Sequence, residues 1–588
     1  MLCTIICYLL FMISTVVLGQ SFPDDFIFGA ATAAYQVEGA YNKGGRGMTV
    51  WDTFSLIPGK VAGDDNGEHA DDQYHKYAED VGLMKELGIQ SYRFSIAWSR
   101  ILPTGRLPVN EEGVEYYHNL LDALEEADII PFVTLYHWDT PAELEKEYDS
   151  WLSETIVEDF RNYADVCFQY FGHRVKNWLT LNEPWSVTAL GYGAGINAPG
   201  RCSNRNVCAK GNSYTEPYIA GRNLLLAHAA AVKDYRDKYQ AVQGGQIGLT
   251  LNMEYAEPLT DSEQDALAAE QRREFQFGWF GDPVVFGDYP ESMKRLLGDR
   301  LTAFSAEEKE ALKGSYDFIG LNNYATYYVE YKPLSLTGAG YGWWDWWDSE
   351  SRCLTEKDGK PIGLVADSDW LTVVPQGIRE SINWAYKRYG APIYVTENGC
   401  DVPNESSLPI KKALQDNFRI SYLKQYIGNV SLAIQDGSDV KGYFVWSLLD
   451  NFEWHDGYSK RFGIIYVDYD DYTRHPKDSF YWYRNYIAKQ KKLPLQKIDL
   501  KPHARDITSS TGMTAFYVII MGVVAAVIAV VGAIKYPSKL SKKFRDIQHC
   551  HNGYTDMNEG QQKSTTVRIN CRFPLEEDQT IVPDTLNI

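Results

Sequence analysis

Residues 177–183 read NWLTLNE, a short apolar run that ends in the polar residues Asn182 and Glu183. Runs of similar length recur along the chain, and runs that are apolar almost throughout are typical of parallel strands buried on both faces. The others are FIFGAATAA from Phe26, SYRFSIAW from Ser91, PFVTLYH from Pro131, QIGLTLN from Gln246, YDFIGLNNY from Tyr316, PIYVTEN from Pro392 and GYFVWSL from Gly442.

Helical stretches separate these runs. DDQYHKYAEDVGLMKELG from Asp71 and VEYYHNLLDALEEADI from Val114 carry apolar residues at steps of three and four, the period of an amphipathic helix. Eight strands that alternate with helices predict the α/β class and a single closed (β/α)8 TIM barrel. Residues 20–495 contain no Ser/Gly linker and no short repeat, so we expect this one domain to fill them.

Polar or aromatic residues end most of the predicted strands. In a barrel the carboxyl ends of all strands converge on one face, where active sites lie. Each residue has a structural explanation on its own, but their recurrence at the same end of successive strands favours a site. They are Gln36, Arg93, His137, Asn182 with Glu183, Asn322 with Tyr324, Glu397 and Trp446.

Two of these residues, Glu183 and Glu397, follow the fourth and seventh predicted strands. We expect them to face each other across the barrel mouth. Paired carboxyl groups beside aromatic side chains are what cleavage of a glycosidic bond requires, one as a proton donor and one to act at the anomeric carbon.

Composition narrows the choice of partner. The 588 residues carry a formal net charge of -21, which argues against a nucleic-acid partner or membrane binding through basic patches. The 16 Trp and 41 Tyr suit a neutral, sugar-like ligand, because aromatic rings stack on such molecules. No Cys/His spacing is typical of a zinc site and no glycine-rich phosphate loop is present, so we expect neither a metal nor a cofactor.

Two apolar segments predict the compartment. Residues 1–19 are apolar from Leu2 and predict a signal peptide although they lack a basic start; an uncleaved anchor is the alternative. Residues 515–534 carry no charge and are long enough for a single-pass transmembrane helix, the alternative being a buried globular helix. The basic cluster behind this segment indicates the cytoplasmic side. It comprises Lys535, Lys539, Lys542, Lys543 and Arg545.

These segments together predict a type I membrane protein. Its domain over residues 20–495 would be extracellular or luminal, followed by a juxtamembrane linker over 496–514 and a cytoplasmic tail over 535–588. In an oxidising compartment the close spacing in RCSNRNVC makes Cys202 and Cys208 the best candidate disulfide. The sequons at Asn404 and Asn429 would be open to N-glycosylation.

Two short motifs identify a family resemblance. TLNEP at Thr180–Pro184 and VTENG at Val395–Gly399 resemble the two signatures of glycoside hydrolase family 1. Further blocks resemble that family in the same order from about Phe22 to Asn485: FIFGAATAAYQVEGA, FSIAWSR, TLYHWDTP, DFIGLNNY and VWSLLDNFEWHDGYSKRFGIIYVDY. The resemblance implies a retaining β-glycosidase without a cofactor, whose substrates are terminal non-reducing β-D-glucosides, with β-galactosides or β-fucosides as further candidates.

The resemblance also implies roles for individual residues. Glu397 matches the nucleophile and Glu183 the residue that acts as acid and then base, with the two carboxyl groups about 5–5.5 Å apart. Arg93 and Tyr324 match positions beside the nucleophile that keep it ionised. Glu183 is expected to stay protonated near working pH, because of a less polar setting and the charge of Glu397.

The substrate-binding residues follow from the same resemblance. Asn182 matches the residue that holds the sugar 2-hydroxyl, and Trp370 matches an aromatic position beside the aglycone. An anionic Glu453 would repel a sugar 6-phosphate. Asn197, where the family frequently carries His, leaves the details of its loop open. The other positions matched to the terminal sugar are Gln36, His137, Trp446, Glu453 and Trp454.

A second function stays open beside the enzyme. Proteins similar to klotho use the same scaffold as non-catalytic sugar-binding receptors or co-receptors. That pattern typically lacks at least one catalytic carboxylate, whereas this chain has both Glu183 and Glu397. The sequence therefore favours the enzyme.

Overall fold

The computed structural model describes residues 22–333 and 347–492. Among the helices of these residues, none has the length and apolar character needed to cross a membrane. Four predicted segments lie outside the described residues: the signal peptide over 1–19, the linker over 496–514, the transmembrane helix over 515–534 and the cytoplasmic tail over 535–588.

Eight parallel strands close into one barrel, which confirms the predicted (β/α)8 fold. Neighbouring strands follow each other in chain order, and the first pairs with the last to close the barrel. Each strand coincides with one of the apolar runs, because both of its faces are covered. The strands are β1 (Ile27–Ala31), β2 (Ser91–Ser95), β3 (Ile130–Tyr136), β4 (Asn177–Asn182), β5 (Gln246–Asn252), β6 (Phe318–Asn322), β7 (Ile393–Asn398) and β8 (Val440–Trp446).

Helices alternate with the strands and cover the barrel. The helix over Gln73–Leu87 is capped by Gly88, whose φ of 77° is readily adopted only by glycine. The N–H of Gly88 donates to the carbonyl of Met84. The longer helices are α1 (Gln73–Leu87), α2 (Glu111–Glu126), α3 (Thr155–Phe171), α4 (Glu216–Asp234), α5 (Glu263–Arg273), α6 (Gln376–Tyr389), α7 (Asn417–Gln435) and α8 (Asp478–Gln490). Shorter helices include Val50–Ser55, Ala142–Tyr148, Trp279–Phe286, Glu291–Leu297 and Ala306–Leu312.

Four smaller sheets lie outside the barrel in the described part of the chain, and two of them are short pairs: Glu356–Lys357 with Lys360–Pro361, and Leu364–Val365 with Thr372–Val373. A three-stranded sheet contains Tyr255–Pro258, Thr326–Tyr331 and Ser351–Leu354, and α5 packs on it through the buried cluster of Ala268 and Ala269 with Ala256 and Val329. A hairpin pairs Ile465–Asp468 with Thr473–Pro476.

Aromatic rings fill the barrel interior. The Phe132 ring on β3 has its centroid 6.0 Å from Phe318, 5.0 Å from Tyr394 and 5.1 Å from Phe444, which lie on β6, β7 and β8. Those strands are not neighbours of β3 in the barrel, so the rings meet inside it. The interior is therefore packed rather than hollow, as in other barrels of this class.

The strand register shifts at the carboxyl ends of β4 and β7. The shift between β4 and β5 falls between Leu179 and Asn182, and the shift between β7 and β6 falls between Val395 and Glu397. At each shift the strand carries one residue more than its partner. Such an extra residue bends the strand and changes the direction of the side chains that follow. Both irregularities occur immediately before the carboxyl groups that the sequence singles out.

Cys202 and Cys208 form the disulfide that their spacing predicts, with Cα atoms 5.5 Å apart. The two sequons differ in setting. Asn404 is exposed in a turn, whereas Asn429 lies on α7 with its side-chain amide donating to the carbonyl of Gln425 at 2.9 Å. N-glycosylation at either position stays a prediction.

The aromatic interior makes Phe132 a test of barrel packing. Phe132→Ala should lower the free energy of unfolding by about 3–5 kcal/mol, because the opposing rings cannot collapse fully into the space it leaves. Denaturant unfolding followed by tryptophan fluorescence measures this change. Phe132→Leu, which keeps most of the volume, is the matched control and should cost clearly less. Equal losses in the two variants would contradict the packed interior.

Candidate active site

A cavity opens at the carboxyl ends of the barrel strands. Side chains from five strand ends and the segments directly after them line it: His137, Asn182 with Glu183, Tyr324, Glu397 and Trp446. Barrel closure therefore brings both carboxyl groups into one cavity, although Glu183 and Glu397 lie far apart in the chain.

Glu397 is held by two donors. Arg93 Nη1 donates to Glu397 Oε1, and the Tyr324 hydroxyl donates to Oε2 at 2.8 Å. The arginine is fully buried and the carboxylate is 4% exposed, so water screens their attraction little. One positive charge and one hydroxyl thus stabilise the carboxylate and fix the direction of its oxygens.

The other guanidinium nitrogen of Arg93 continues the network. Its Nη2 donates to Asn182 Oδ1 at 2.6 Å, and Asn182 Nδ2 donates to His137 Nε2 at 3.0 Å. Burial and the charge of Arg93 hold the pKa of His137 well below its usual range. His137 is therefore neutral, and because Nε2 accepts, its proton lies on Nδ1, which has no partner among the described residues.

Glu183 lies in a contrasting environment. The amide of Asn322 donates to its Oε1 at 2.7 Å, and the Ser186 hydroxyl donates to its Oε2 at 2.7 Å. Burial, followed by the negative charge of Glu397, raises the pKa of Glu183 to about 8, and the two hydrogen bonds lower it only in part. Glu183 is therefore protonated at neutral pH, the state in which it can donate a proton.

Three non-glycine residues at the cavity have left-handed backbone. Their φ angles are 74° at Trp138, 44° at Glu183 and 52° at Trp454. Such conformations cost of the order of 1–3 kcal/mol each and are concentrated at functional sites. At Glu183 the turn is anchored by its N–H, which donates to the carbonyl of Thr250 at 3.0 Å, and Pro184 begins a short helix directly after it.

Tryptophans form an aromatic surface at the inner end of the cavity. The Trp138 and Trp454 rings lie 4.4 Å apart, and the His137 ring stacks on Trp446 at 6.0 Å. Trp138 Nε1 donates to the backbone carbonyl of Asn182 at 2.9 Å, which ties this surface to β4. Ring faces of this kind can stack on the C–H face of a sugar.

Glu453 lines the cavity, whereas Gln36 is not among its lining residues. Gln36 Nε2 donates to Asn451 Oδ1 and to the Phe452 carbonyl, both at 2.9 Å, while its buried Oε1 has no partner in the described part of the chain. Burial, and then the charge of Asp456, raises the pKa of Glu453 well above its usual range. Burial therefore favours the protonated form of Glu453 and works against the anion that the sequence-based expectation places there.

Trp370 lies toward the mouth of the cavity. The centroid of its ring lies 5.9 Å from that of Tyr324 and 6.5 Å from that of Phe462, and the Trp370 and Phe462 rings are nearly parallel. Asn197 lines the cavity too, with a buried Oδ1 that has no partner among the described residues.

The structure adds residues that the sequence reasoning missed. The sequence places Asn322 at a strand end but gives no sign of its contact to Glu183, and it does not mark Ser186. Ser186 lies three residues after Glu183, a spacing that could have suggested a contact within one turn. No sequence signal marks Trp138, Glu254 or Arg272, which also line the cavity. In residues 22–333 and 347–492, no group of three or more His, Cys, Asp or Glu residues could hold a metal ion.

The sequence profile described as Glycosyl hydrolase family 1 matches residues 18–492. The chain belongs to this family. It is a glycoside hydrolase, an enzyme that acts on O-glycosyl bonds.

The relatives of this family 1 chain include plant and fungal enzymes. It is 49% identical to beta-glucosidase 24 of Oryza sativa subsp. japonica over 476 residues, which cover 80% of this chain and 94% of the relative. The crystal structure of a rice β-glucosidase matches with a TM-score of 0.77 and 48% identity, over 79% of this chain and 98% of that one, and a mutant of it was solved in a covalent complex with glucose. A family 1 β-glucosidase of Humicola insolens, solved with glucose, matches with a TM-score of 0.77 and 44% identity, over 80% of this chain and 98% of that one.

The raised pKa of Glu183 predicts the alkaline side of the activity profile. Because the protonated form donates, kcat/KM for an aryl β-glycoside with a poor leaving group should fall as the pH rises through about 8. Asn322→Ala removes a hydrogen bond that lowers this pKa, so the fall should move to higher pH. Initial rates across the pH range measure both effects. If kcat/KM falls over the same pH range in Asn322→Ala as in the wild type, the contact does not contribute to the pKa of Glu183.

Proposed function

We propose that the chain is a retaining β-glycosidase that hydrolyses terminal non-reducing β-D-glucosides through a covalent glycosyl-enzyme. One observation carries this proposal: two carboxyl groups share a buried cavity, and one is paired with Arg93 while the other has a pKa near 8. Pairs whose environments differ in this way divide acid and nucleophile roles between them.

In the first step, a Glu397 oxygen attacks the anomeric carbon while Glu183 gives its proton to the glycosidic oxygen. The bond to the leaving group breaks, an ester between the sugar and Glu397 forms, and the alcohol departs. The leaving oxygen needs this proton because an alkoxide is a poor leaving group. Glu183 starts from the protonated state that this step requires.

In the second step Glu183, now ionised, removes a proton from a water molecule. The water oxygen attacks the anomeric carbon, the ester to Glu397 breaks, and the sugar leaves with retained configuration. Loss of the Glu397 charge in the ester lowers the pKa of Glu183, since that charge is one of the causes that raise it. The same carboxyl group can therefore act as acid first and as base second.

The sugar-binding side chains support a neutral glycosyl unit. Asn182 is fixed by Arg93 and His137 and is proposed to hold the 2-hydroxyl, a contact that strengthens in the transition state. The proposed partners of the other hydroxyls and of the sugar face are Gln36, His137, Trp446, Glu453 and Trp454.

Glucose is the proposed sugar because the relatives reported above are named β-glucosidases and two of the solved structures contain glucose. β-Galactosides and β-fucosides are further proposed substrates, since they differ from glucosides at few positions. The intact pair of Glu183 and Glu397 argues against the non-catalytic receptor.

Two substitutions test the proposed roles. Glu397→Gly should abolish hydrolysis of an aryl β-glucoside, because no nucleophile remains. Glu183→Gln should slow substrates with poor leaving groups most, because only these depend on the proton. Rates across a series of aryl glucosides of increasing phenol pKa measure the second effect, and circular dichroism confirms folding.

The outcomes separate the two roles. Full turnover by Glu397→Gly would exclude it as the nucleophile. Equal slowing across the leaving-group series in Glu183→Gln would exclude it as the acid. If the wild-type chain hydrolyses no β-glycoside in a broad panel, the receptor becomes the better description.

We propose further that the chain is a type I membrane protein with its barrel outside the cell or in the lumen. The proposal rests on the sequence of residues 1–19 and 515–534, and the disulfide between Cys202 and Cys208 is in keeping with an oxidising compartment. Asn404, which is exposed in a turn, is the better placed of the two sequons.

Membrane attachment can be tested on the full chain. Alkaline carbonate extraction should leave it in the membrane fraction, because a span of 20 apolar residues is held by the hydrocarbon core rather than by charge. A chain that stops at residue 514 is the matched control and should be released. Recovery of the full chain in the soluble fraction would remove the proposed span.

A further inference from the structure

Glu254 and Arg272 bring opposite charges to the wall of the cavity. Glu254 follows β5, and Arg272 lies in the last turn of α5, which packs on the small three-stranded sheet. Neither residue is part of the network around Glu397. Their chemistry is therefore available for a different part of the substrate.

Arg272 is a buried cation that forms no ion pair with the residues that the structure describes. It is only 5% exposed, and its guanidinium carbon lies 5.4 Å from the centre of the Trp185 ring. In the described part of the chain no carboxylate forms a salt bridge with it, whereas the adjacent Arg273 pairs with Glu270 at 2.8 Å. A buried charge that lacks hydrogen-bond acceptors is costly, so the position favours a ligand that supplies them.

Glu254 keeps acceptor capacity as well. The side-chain amide of Gln276 donates to its Oε2, and no cation forms a salt bridge with it among the described residues. The carboxylate and the guanidinium of Arg272 thus share the cavity without bonding to each other. A carboxylate has about four acceptor positions, and protein donors fill few of them here.

Both charges lie on the side of the cavity where the leaving group departs. Arg272 stacks on Trp185, two residues after Glu183, and Glu254 is close enough for its charge to act on Glu183. Both also act electrostatically on Tyr327, whose hydroxyl donates to the backbone carbonyl of Trp370. Because Glu183 must reach the glycosidic oxygen, groups beyond it face the aglycone.

The pair of charges selects the chemistry of that aglycone. An anionic group would be repelled by Glu254 and a cationic group by Arg272, while a flat apolar ring would leave both without partners. A sugar suits both, because adjacent hydroxyls accept from a guanidinium fork and also donate to a carboxylate. Its C–H face can stack on the ring of Trp370 at the mouth.

We propose that Arg272 and Glu254 are specificity-determining residues that bind the hydroxyls of a sugar unit in the leaving-group position. The preferred substrates would then be β-linked glucose disaccharides or short oligosaccharides rather than simple aryl or alkyl glucosides. This inference rests on the proposed function and adds the class of its leaving group.

The test compares two substrate types on the full chain. For each enzyme, kcat/KM is measured for glucose disaccharides of the four β-linkages and for 4-nitrophenyl β-glucoside. The value for each disaccharide is then divided by the value for 4-nitrophenyl β-glucoside to give a ratio. Arg272→Met and Glu254→Gln should each lower the ratio for the best disaccharide about tenfold or more, the worth of a hydrogen bond to a charged group. Glu257→Gln, an exposed carboxylate on the neighbouring strand, is the matched control and should leave the ratio unchanged.

A second measurement does not depend on how much of a variant folds, because it compares two products of the same glycosyl-enzyme. With 4-nitrophenyl β-glucoside as donor and cellobiose as acceptor, an acceptor hydroxyl attacks the anomeric carbon of the glycosyl-enzyme, the ester to Glu397 breaks and Glu183 takes the proton. Arg272→Met should lower the proportion of transfer product relative to free glucose. Arg272→Lys keeps the charge but loses the two parallel donors of the guanidinium. Its proportion of transfer product should therefore lie between those of Arg272→Met and the wild type.

Three outcomes would overturn the inference. The first is an unchanged ratio and unchanged transfer in both variants. The second is a loss confined to an aryl glucoside with a carboxylate on its ring, which would make Arg272 an anion site. The third is wild-type turnover of aryl glucosides without turnover of any disaccharide, which leaves the proposed glycosidase standing. Only the absence of all β-glycoside turnover would remove both.

Discussion

Arg93 lies fully buried between the carboxylate of Glu397 and the amide oxygen of Asn182. A cation without water persists in such a position only because hydrogen bonds and an opposite charge surround it. The negative charge that it retains on Glu397 then acts on Glu183, where it adds to burial in raising the pKa to about 8. The difference between the two carboxyl groups thus depends on the burial of Glu183 and on one guanidinium in the middle of β2.

The barrel supplies the positions and local irregularities supply the directions. Parallel strands deliver their last residues to one face. At β4 and β7 the register shifts immediately before Asn182 and Glu397, and Glu183 adopts a left-handed backbone. A packed interior of aromatic rings holds the strands in place and so stabilises the barrel against these local distortions. Stability and site geometry are therefore provided by different layers of the same barrel.

The two ends of the cavity suit different tasks. The inner end combines tryptophan faces with a neutral His137 and with Glu453, whose pKa is raised by burial. The outer wall instead carries the unjoined charges of Glu254 and Arg272 beside the proton donor. A substrate with a neutral sugar inside and a hydroxyl-rich leaving group outside would satisfy both ends.

The eight strands, their polar ends and the meeting of Glu183 with Glu397 could be predicted from the amino-acid sequence, because strands buried on both faces are apolar throughout and their ends converge. Close spacing also determined the disulfide of Cys202 and Cys208. The folded chain alone shows that Asn322 and Ser186 contact Glu183, that burial raises the pKa of Glu453, and that Arg272 reaches the cavity from α5. Those features depend on burial and on contacts between distant segments, which no local pattern of residues encodes.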